Sequence, residues 1–441
     1  MNGENGGGKN CCSGPVPGPG TILCWALVFL LLSGCAFPPF ARLNSNLRAM
    51  KETSYLTGTV TQRSREQPRV IVALYEGSDQ GGELITSTSV ETVGYFAFTV
   101  PRGGEYCLAA FEDRNGNGFY EPGEPSAVAC GEERVKIPKD TRIVRLDLAL
   151  DPLQQLPKLL AKQIAIAVPD EKNCIHVAFG EIAELSDPKF SPEYGKKGLW
   201  APFDFLAEAG IGVYFLEPYD QQKMPVLFIN GAGGCPRDWA YFIDNLDRSR
   251  FQPWFFFYPS GERLGNLANV LNDIIRQLQQ RYGFSGLYVT AHSMGGLIGR
   301  DFILKQLVGG APLAHWFISL STPWSGLESA KLGVTFAPAA VPCWYDIQAG
   351  SPYLDELFQR RLAPEVASFL LFSYRGDRNP LSENNDGIVT LKSQLRWEAQ
   401  ADSVKIYGFN QDHDTILVNR DVFDAFMLIL DGTEMGGVAR K

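Results

Sequence analysis

At 441 residues the chain is too long for one small domain and has room for two or three. Its 45% hydrophobic and 20% charged residues are ordinary for a globular protein with a sizeable core. A formal net charge of −9 excludes a general affinity for nucleic acid, which needs clustered Lys and Arg against the phosphates.

Residues 1–20 are rich in Gly and Pro, show no apolar periodicity and predict no structure. The apolar stretch Ile22 to Leu32 is too short to span a bilayer comfortably and has the length of a signal-peptide core. It runs into Leu32-Ser33-Gly34-Cys35. That string resembles the lipobox of bacterial lipoproteins, whose Cys becomes the lipid-modified first residue of the mature chain. The resemblance implies export and a membrane anchor through Cys35; with Ala36 next, it implies no inner-membrane retention signal. Several acyl chains on one Cys give a stable anchor where a single chain does not. The leading segment holds Glu4 as well as Lys9, and an ordinary signal peptide or an uncleaved short anchor is the alternative. Export to an oxidising compartment makes disulfides available, and Cys107 and Cys130 flank a turn-rich loop so that they can face each other across an antiparallel pair.

Residues 53–150 read as short strands separated by turn signals: LTGTV, RVIVALYE, YFAFTV, EYCLAAFED and VRLDLAL. Alternation, β-branched residues and Gly/Pro clusters predict a small antiparallel β-sandwich. The order resembles transthyretin-like and carboxypeptidase-regulatory-like modules, which implies a binding or spacing role. Within it, Asp113, Asn115, Asn117, Glu121 and Glu124 stand at positions 1, 3, 5, 9 and 12 of a calcium-loop spacing, with Gly118 at 6. The flanks read as strands, so this is no EF-hand; a calcium site competes with a hairpin whose Asn-Gly pairs fill left-handed turn positions. Residues 151–178 read as a linker, and the last domain is expected over 179–441.

In that domain MPVLFINGAGG predicts a buried strand entering a Gly-rich turn. An amphipathic helix around Trp239 to Leu246 follows, then the strand QPWFFFYPS. Leu264, Leu267, Leu271, Ile274, Ile275 and Leu278 share one face of a helix over 264–282. GLYVTAHSMGGLIGRDFIL reads as strand, tight turn and amphipathic helix, with further strands in HWFISLS and SFLLFSYR. Strands alternating with helices predict an α/β fold with a mostly parallel sheet.

The tight turn holds Ser293 in Ala291-His-Ser-Met-Gly-Gly296. A nucleophilic Ser on a strand-to-helix elbow needs small residues two positions to either side, here Ala291 and Gly295. The main-chain N–H of Met294 is one expected oxyanion donor. The second is expected from the turn Asn230-Gly231-Ala232-Gly233-Gly234, through Ala232. With only four His in the chain, the base follows by elimination, since the fold orders its triad Ser, acid, His. His315 opens the strand HWFISLS, His292 adjoins the nucleophile and is expected to point elsewhere, and His176 precedes the domain. His413 remains, in a loop entering the last helix. Asp386 in ENNDGIVTLKSQL is the expected acid; Asp377, nearer its strand, competes.

Taken together, VLFINGAGG, AHSMGGL, STPWSG, the DGIVT loop and the late His resemble the bacterial lipase and esterase branch of the α/β hydrolases, which includes relatives of the GPI inositol-deacylase domain. The resemblance implies a doubly wound sheet, an ester or acyl-lipid substrate and no required cofactor. It also places lids and acyl pockets in the apolar segment 327–347, for which buried cap packing is the alternative. The chain departs from the pattern in Ala291 for the first Gly, Asn230 for the oxyanion-turn His, and Trp324 for the His of the later STPH turn. An acyltransferase would use the same residues, and a surface lipoprotein that binds a partner on a catalytically silent hydrolase fold is the rival of another class.

Overall fold

The structure is a computed structural model that describes residues 38–61, 69–76, 82–90, 94–130, 134–158, 160, 173–307, 312–376 and 383–432. The lipobox with Cys35 and the competing acid Asp377 lie outside the described residues.

After a helix α1 (Pro38–Glu52), the described residues build nine short strands: β1 (Thr53–Thr61), β2 (Arg69–Glu76), β3 (Glu83–Val90), β4 (Gly94–Pro101), β5 (Glu105–Asp113), β6 (Ser126–Ala129), β7 (Val135–Lys136), β8 (Ile143–Arg145) and β9 (Leu148–Ala149). They form two sheets, β4-β1-β8 with β9 beside β1, and β3-β2-β5-β6 with β7 beside β5. The sandwich is not wholly antiparallel as expected, because β8 and β9 run parallel to β1. The VRLDLAL segment breaks into these two pieces. Strand β3 was not anticipated, since its Ser/Thr-rich ELITSTSV carries too little apolar alternation.

Alternate residues of both sheets meet in one core: Leu56, Val60, Phe96 and Phe98 against Val70, Val72, Leu74 and Leu108. The other face of β2 and β5, with Ile71, Ala73, Tyr75 and Phe111, is covered by Leu156 and Leu160. RVIVALYE reads as an unbroken apolar run because both of its faces are buried. The start of the expected linker therefore belongs to the sandwich. Its end, Ile175, already pairs with β4 through Ile175 N–H to Ala97 O at 3.0 Å. A disulfide joins Cys107 on β5 to Cys130 just after β6.

The remainder is a three-layer α/β unit. Its elements in order are β10 (Val177–Ile182), α2 (Pro192–Trp200), α3 (Pro202–Ala209), β11 (Ile211–Phe215), β12 (Met224–Ile229), α4 (Ala240–Asn245), β13 (Phe251–Phe257), α5 (Leu264–Tyr282), β14 (Leu287–His292), α6 (Met294–Gln306), β15 (Ala314–Leu320), α7 (Glu328–Phe336), α8 (Trp344–Ile347), α9 (Pro352–Gln359), β16 (Ala367–Ser373), α10 (Leu391–Gln394), α11 (Trp397–Ala401), β17 (Ser403–Phe409) and α12 (Arg420–Leu430). The strands form one eight-stranded sheet in the order β10-β11-β13-β12-β14-β15-β16-β17. Six run parallel; β10 and β11 run parallel to each other and against the rest.

Alternation along the central strands decides which face each side chain covers. Leu227, Ile229, Val289 and Ala291 pack with α5 and α6, whereas Val226 and Phe228 pack with Trp239, Phe242 and the α12 residues Val422 and Phe426. On α5 the six expected apolar residues are all buried, each worth about 1.5–3 kcal/mol of removed surface. Gly283 ends that helix in the left-handed region, φ 69°, where its N–H closes on Gln279 O at 2.8 Å. Helix α6 is not amphipathic as expected; every residue but Lys305 is buried, because α5 and the sheet enclose it. Its Arg300 remains charged inside by pairing with Asp402 at 2.7 Å. The two regions meet through the ion pair of Arg142 with Glu262 and the rings of Tyr95 and Phe179. No helix among the described residues is long and apolar enough to cross a membrane.

Candidate active site

Strand β14 ends at His292 and α6 begins at Met294, so Ser293 alone makes the bend, at φ 53° and ψ −130°. A side-chain-bearing residue is strained there and persists only where its surroundings hold it. Ser293 N–H donates to Leu320 O at 2.8 Å, and its carbonyl accepts from Gly296 N–H at 2.9 Å. Two residues on, a Cβ at Gly295 would stand 2.5 Å from Asn230 O, so only Gly lets the helix start this close to the β12 turn.

The carboxylate of Asp386 is fully buried, while Ser293 and His413 are 8% and 5% exposed. Asp386 Oδ1 accepts from the N–H groups of Val389 at 2.7 Å and Ile388 at 3.0 Å. Its Oδ2 accepts from Ser373 Oγ at 2.9 Å, Gln394 Nε2 at 3.2 Å and His413 Nδ1 at 2.7 Å. Burial pushes this carboxyl up, but the hydrogen bond and charge of His413 with the two amides outweigh it, and it lies below the usual carboxylate range. Because Ser373 spends its proton on Asp386, the 2.6 Å contact between Ser321 Oγ and Ser373 Oγ must be donated by Ser321. Ser321 is the other non-Gly residue with positive φ, at 49°, among the described residues. A carboxylate held by this many donors is fixed in place as an anion, an arrangement able to orient an imidazole and balance its charged form.

His413 is set by the loop after β17. Its N–H donates to Asp386 O at 2.9 Å, and its carbonyl is bonded to His292 Nε2 at 2.8 Å. The expectation that His292 points elsewhere is therefore corrected. Its ring turns inward, 4.7 Å centroid to centroid from the ring of His413, because β14 ends beneath the base loop. Burial first, and the neighbouring His413 second, push the His292 imidazole down to about 3. Ser293 Oγ makes no hydrogen bond to His413 in this structure. Such nucleophile–base contacts are often long without substrate and tighten on binding.

The turn after β12 lies directly against the nucleophile: a Cβ at Gly231 would stand 2.9 Å from Ser293 Cβ and 3.3 Å from its Oγ. Neighbouring amides are engaged, Gly233 N–H on Ser260 Oγ at 2.8 Å and Gly234 N–H on Gly231 O at 3.2 Å. The N–H groups of Ala232 and Met294 have no acceptor among the described residues. Amides without an acceptor next to a serine, one of them at a helix N-terminus, are of the kind that can receive a developing oxyanion.

The remaining candidates lie apart from this cluster. His315 opens β15, and His176 pairs with Glu181 at 2.9 Å near the sandwich. Asp412 bonds Arg375 at 2.7 Å and does not join the triad types. Trp324 is buried against Phe317 and Phe358, so the STPWSG turn serves packing there. In the 327–347 segment Val341, Cys343 and Ile347 are buried, while Leu332 and Phe336 stand exposed on α7.

The 113–124 loop, read for calcium in the sequence, carries its own set of hydrogen bonds. Asp113 Oδ2 is taken by the guanidinium of Arg69 and by Gly118 N–H at 3.0 Å. Glu121 accepts from the amide groups of Asn115 and Asn117, both at 3.1 Å. Glu124 accepts from the N–H groups of Arg114 at 3.0 Å and Glu121 at 2.9 Å. Among the described residues no three of the His, Cys, Asp and Glu side chains converge as metal ligands do. These bonds brace the loop and the Arg69 guanidinium sits on Asp113 Oδ2, while Asp113 Oδ1 is buried without a hydrogen-bond partner.

No protein-family model and no curated relative matches the chain. Among solved structures it is similar to a Bacillus licheniformis lipase, BlEst2 in mature form, at 17% identity and a TM-score of 0.40, over 49% of this chain and 97% of that one. It is also similar to Aspergillus fumigatus lipase B at 16% identity and a TM-score of 0.37, over 48% and 54% of the two chains. A carboxylesterase structure from the archaeon Nitrososphaera gargenis is similar at 13% identity and a TM-score of 0.35, over 52% and 98%.

Proposed function

We propose that this chain is a serine hydrolase of the α/β-hydrolase fold that cleaves an ester or acyl-lipid bond through an acyl-enzyme on Ser293. The observation that carries the reading is the buried Asp386–His413 pair, at 2.7 Å, beside a Ser held at a positive-φ elbow. In the first half-reaction Ser293 Oγ attacks the acyl carbon and His413 Nε2 takes its proton. The carbonyl oxygen becomes an oxyanion received by the N–H groups of Met294 and Ala232. His413 then gives the proton to the leaving alcohol, and the C–O bond of the substrate breaks. Water repeats the sequence on the acyl-enzyme and releases the acid. Asp386 stays ionised throughout, and side chains with main-chain amides carry every step.

The leader ending in Cys35 supports an exported protein anchored to a membrane by a lipidated Cys. An apolar acyl group is the partner that the exposed Leu332 and Phe336, on the segment leaving the nucleophile side of the sheet, would suit.

A fluorophosphonate probe with a panel of esters of increasing chain length tests the reading. We expect covalent labelling and ester turnover that both disappear in Ser293→Ala, a loss of about 10⁶-fold in kcat. A folded wild-type chain that neither labels nor turns over any ester would be a binding protein on a silent fold.

A further inference from the structure

We infer that His292 is a positioning residue, whose imidazole fastens the main chain of His413 and so sets the base beside Ser293. This deepens the hydrolase reading and rests on it.

His413 is held at three points. Two of them, Nδ1–H on Asp386 Oδ2 at 2.7 Å and N–H on Asp386 O at 2.9 Å, tie it to the acid loop. Neither refers to the nucleophile. The third is the 2.8 Å bond between His292 Nε2 and His413 O. His292 is the residue before Ser293, at the end of β14, so this bond alone among the described residues ties the nucleophile's strand to the base loop by hydrogen bonding. Ser293 Oγ does not itself hold the ring, and the other hydrogen-bonded route between the two runs through Leu320, Ser321, Ser373 and Asp386, so the His292 bond is the short link that sets the distance between nucleophile and base.

The chemistry of the contact fixes the state of His292. A carbonyl oxygen only accepts, so Nε2 must carry the proton and Nδ1 is the bare nitrogen. That nitrogen lies toward the Gly231 turn, 3.5 Å from where a Cβ on Gly231 would stand. The ring is buried, its centroid 6.5 Å from that of Trp239, to which it is near perpendicular, and 4.7 Å from that of His413. Burial keeps it neutral, pushed down to about 3, so it remains a single donor across the working range of an esterase. One residue thus shares its strand end with the nucleophile, its ring with the base and its bare edge with the oxyanion turn.

The test compares kcat, KM and the fluorophosphonate labelling rate in the full chain and three variants. His292→Phe keeps a ring and removes the donor. His292→Gln returns an N–H near where Nε2 stood, and His292→Asn carries the same amide one bond short. A displaced base of the order of 1 Å costs about 100-fold, so we expect kcat and labelling to fall about 10- to 100-fold in the Phe and Asn variants. KM should stay within about twofold, and the Gln variant should recover most of the loss. Packing alone would not separate Gln from Asn; if Phe does not fold, that pair decides. Equal kcat in wild type, Gln and Asn overturns the inference, as does a folded Gln variant as slow as Asn. A wild type that neither labels nor hydrolyses overturns the hydrolase reading and this one with it. An active wild type indifferent to position 292 overturns this one alone.

Discussion

Two loops of this molecule bury an aspartate in much the same way and put it to different ends. In the sandwich Asp113 accepts from a loop amide, Gly118 N–H, and from Arg69 Nε at 3.1 Å. In the α/β unit Asp386 accepts from loop amides, Val389 and Ile388, and from His413 Nδ1. Each carboxylate is buried and each has one cationic or protonatable partner from a distant stretch of chain. The partners differ in what they can give up. A guanidinium never releases its proton near neutral pH, so the first pair can only hold structure. An imidazole does, so the second pair can pass a proton at its far nitrogen while the carboxylate keeps the near one in place. The burial of an acid is thus not itself a sign of catalysis; the proton economy of its partner decides.

The largest effect that would sharpen this contrast comes from removing charge at the second loop. Asp386→Asn keeps the shape but lets the amide donate to Nδ1, which selects the wrong imidazole tautomer. We expect kcat to fall about 10³- to 10⁴-fold, read with a soluble ester at saturating concentration. The same variant tests the direction of the Asp386 shift. Folding holds this carboxyl below its usual range, so its contribution to stability is complete above the unfolded carboxylate range. It is lost as pH falls through the lower folded value. The stability advantage of wild type over Asp386→Asn should therefore shrink on acidification, measured by denaturant unfolding; an advantage that grows would reverse the sign.

The matching change in the first loop should leave chemistry alone. Asp113→Asn unpairs the buried end of the Arg69 contact and costs about 2 kcal/mol in unfolding free energy. We expect kcat/KM to stay within about twofold, because that loop shares no hydrogen bond with the Ser293 cluster. A large loss of activity at unchanged stability would dissolve the comparison, since it would make the sandwich part of the reaction.

How much of this was legible in the sequence follows from how local each feature is. Ser293, Met294 and the β12 turn are written in short strings whose small residues have one reason to be there, and the α5 stripe is local in the same sense. Asp386 and His413 could be ordered by chain position, though the structure had to bring them within 2.7 Å. The support around them was not legible. Ser321 and Ser373 are ordinary serines until β15 and β16 pair side by side, and Gln394 comes from a helix with no motif. His292 was read as turned away because a strand end does not announce which loop will fold over it. Nor does the 113–124 spacing show that the cation beside Asp113 stands on β2, outside the loop and paired with β5.

The smallest expected effect concerns that spacing, and it is the finest way to break the comparison. Arg69 and the loop amides already engage Asp113 Oδ2, Glu121 and Glu124, although Asp113 Oδ1 is buried without a partner, so calcium would have to displace an ion pair and several hydrogen bonds to enter. A working site with a dissociation constant of about 1 mM would, at about 10 mM calcium, stabilise the folded chain by about 1.4 kcal/mol. In a domain of this size that moves the midpoint by several degrees, well within reach of calorimetry. We expect less than about 1 °C between excess calcium and excess chelator. A shift of several degrees that vanishes in Asp113→Asn would show that the loop trades Arg69 for the ion. The sandwich aspartate would then have an exchangeable partner after all, and the line drawn between the two loops would have to be moved from the identity of the partner to its rate of exchange.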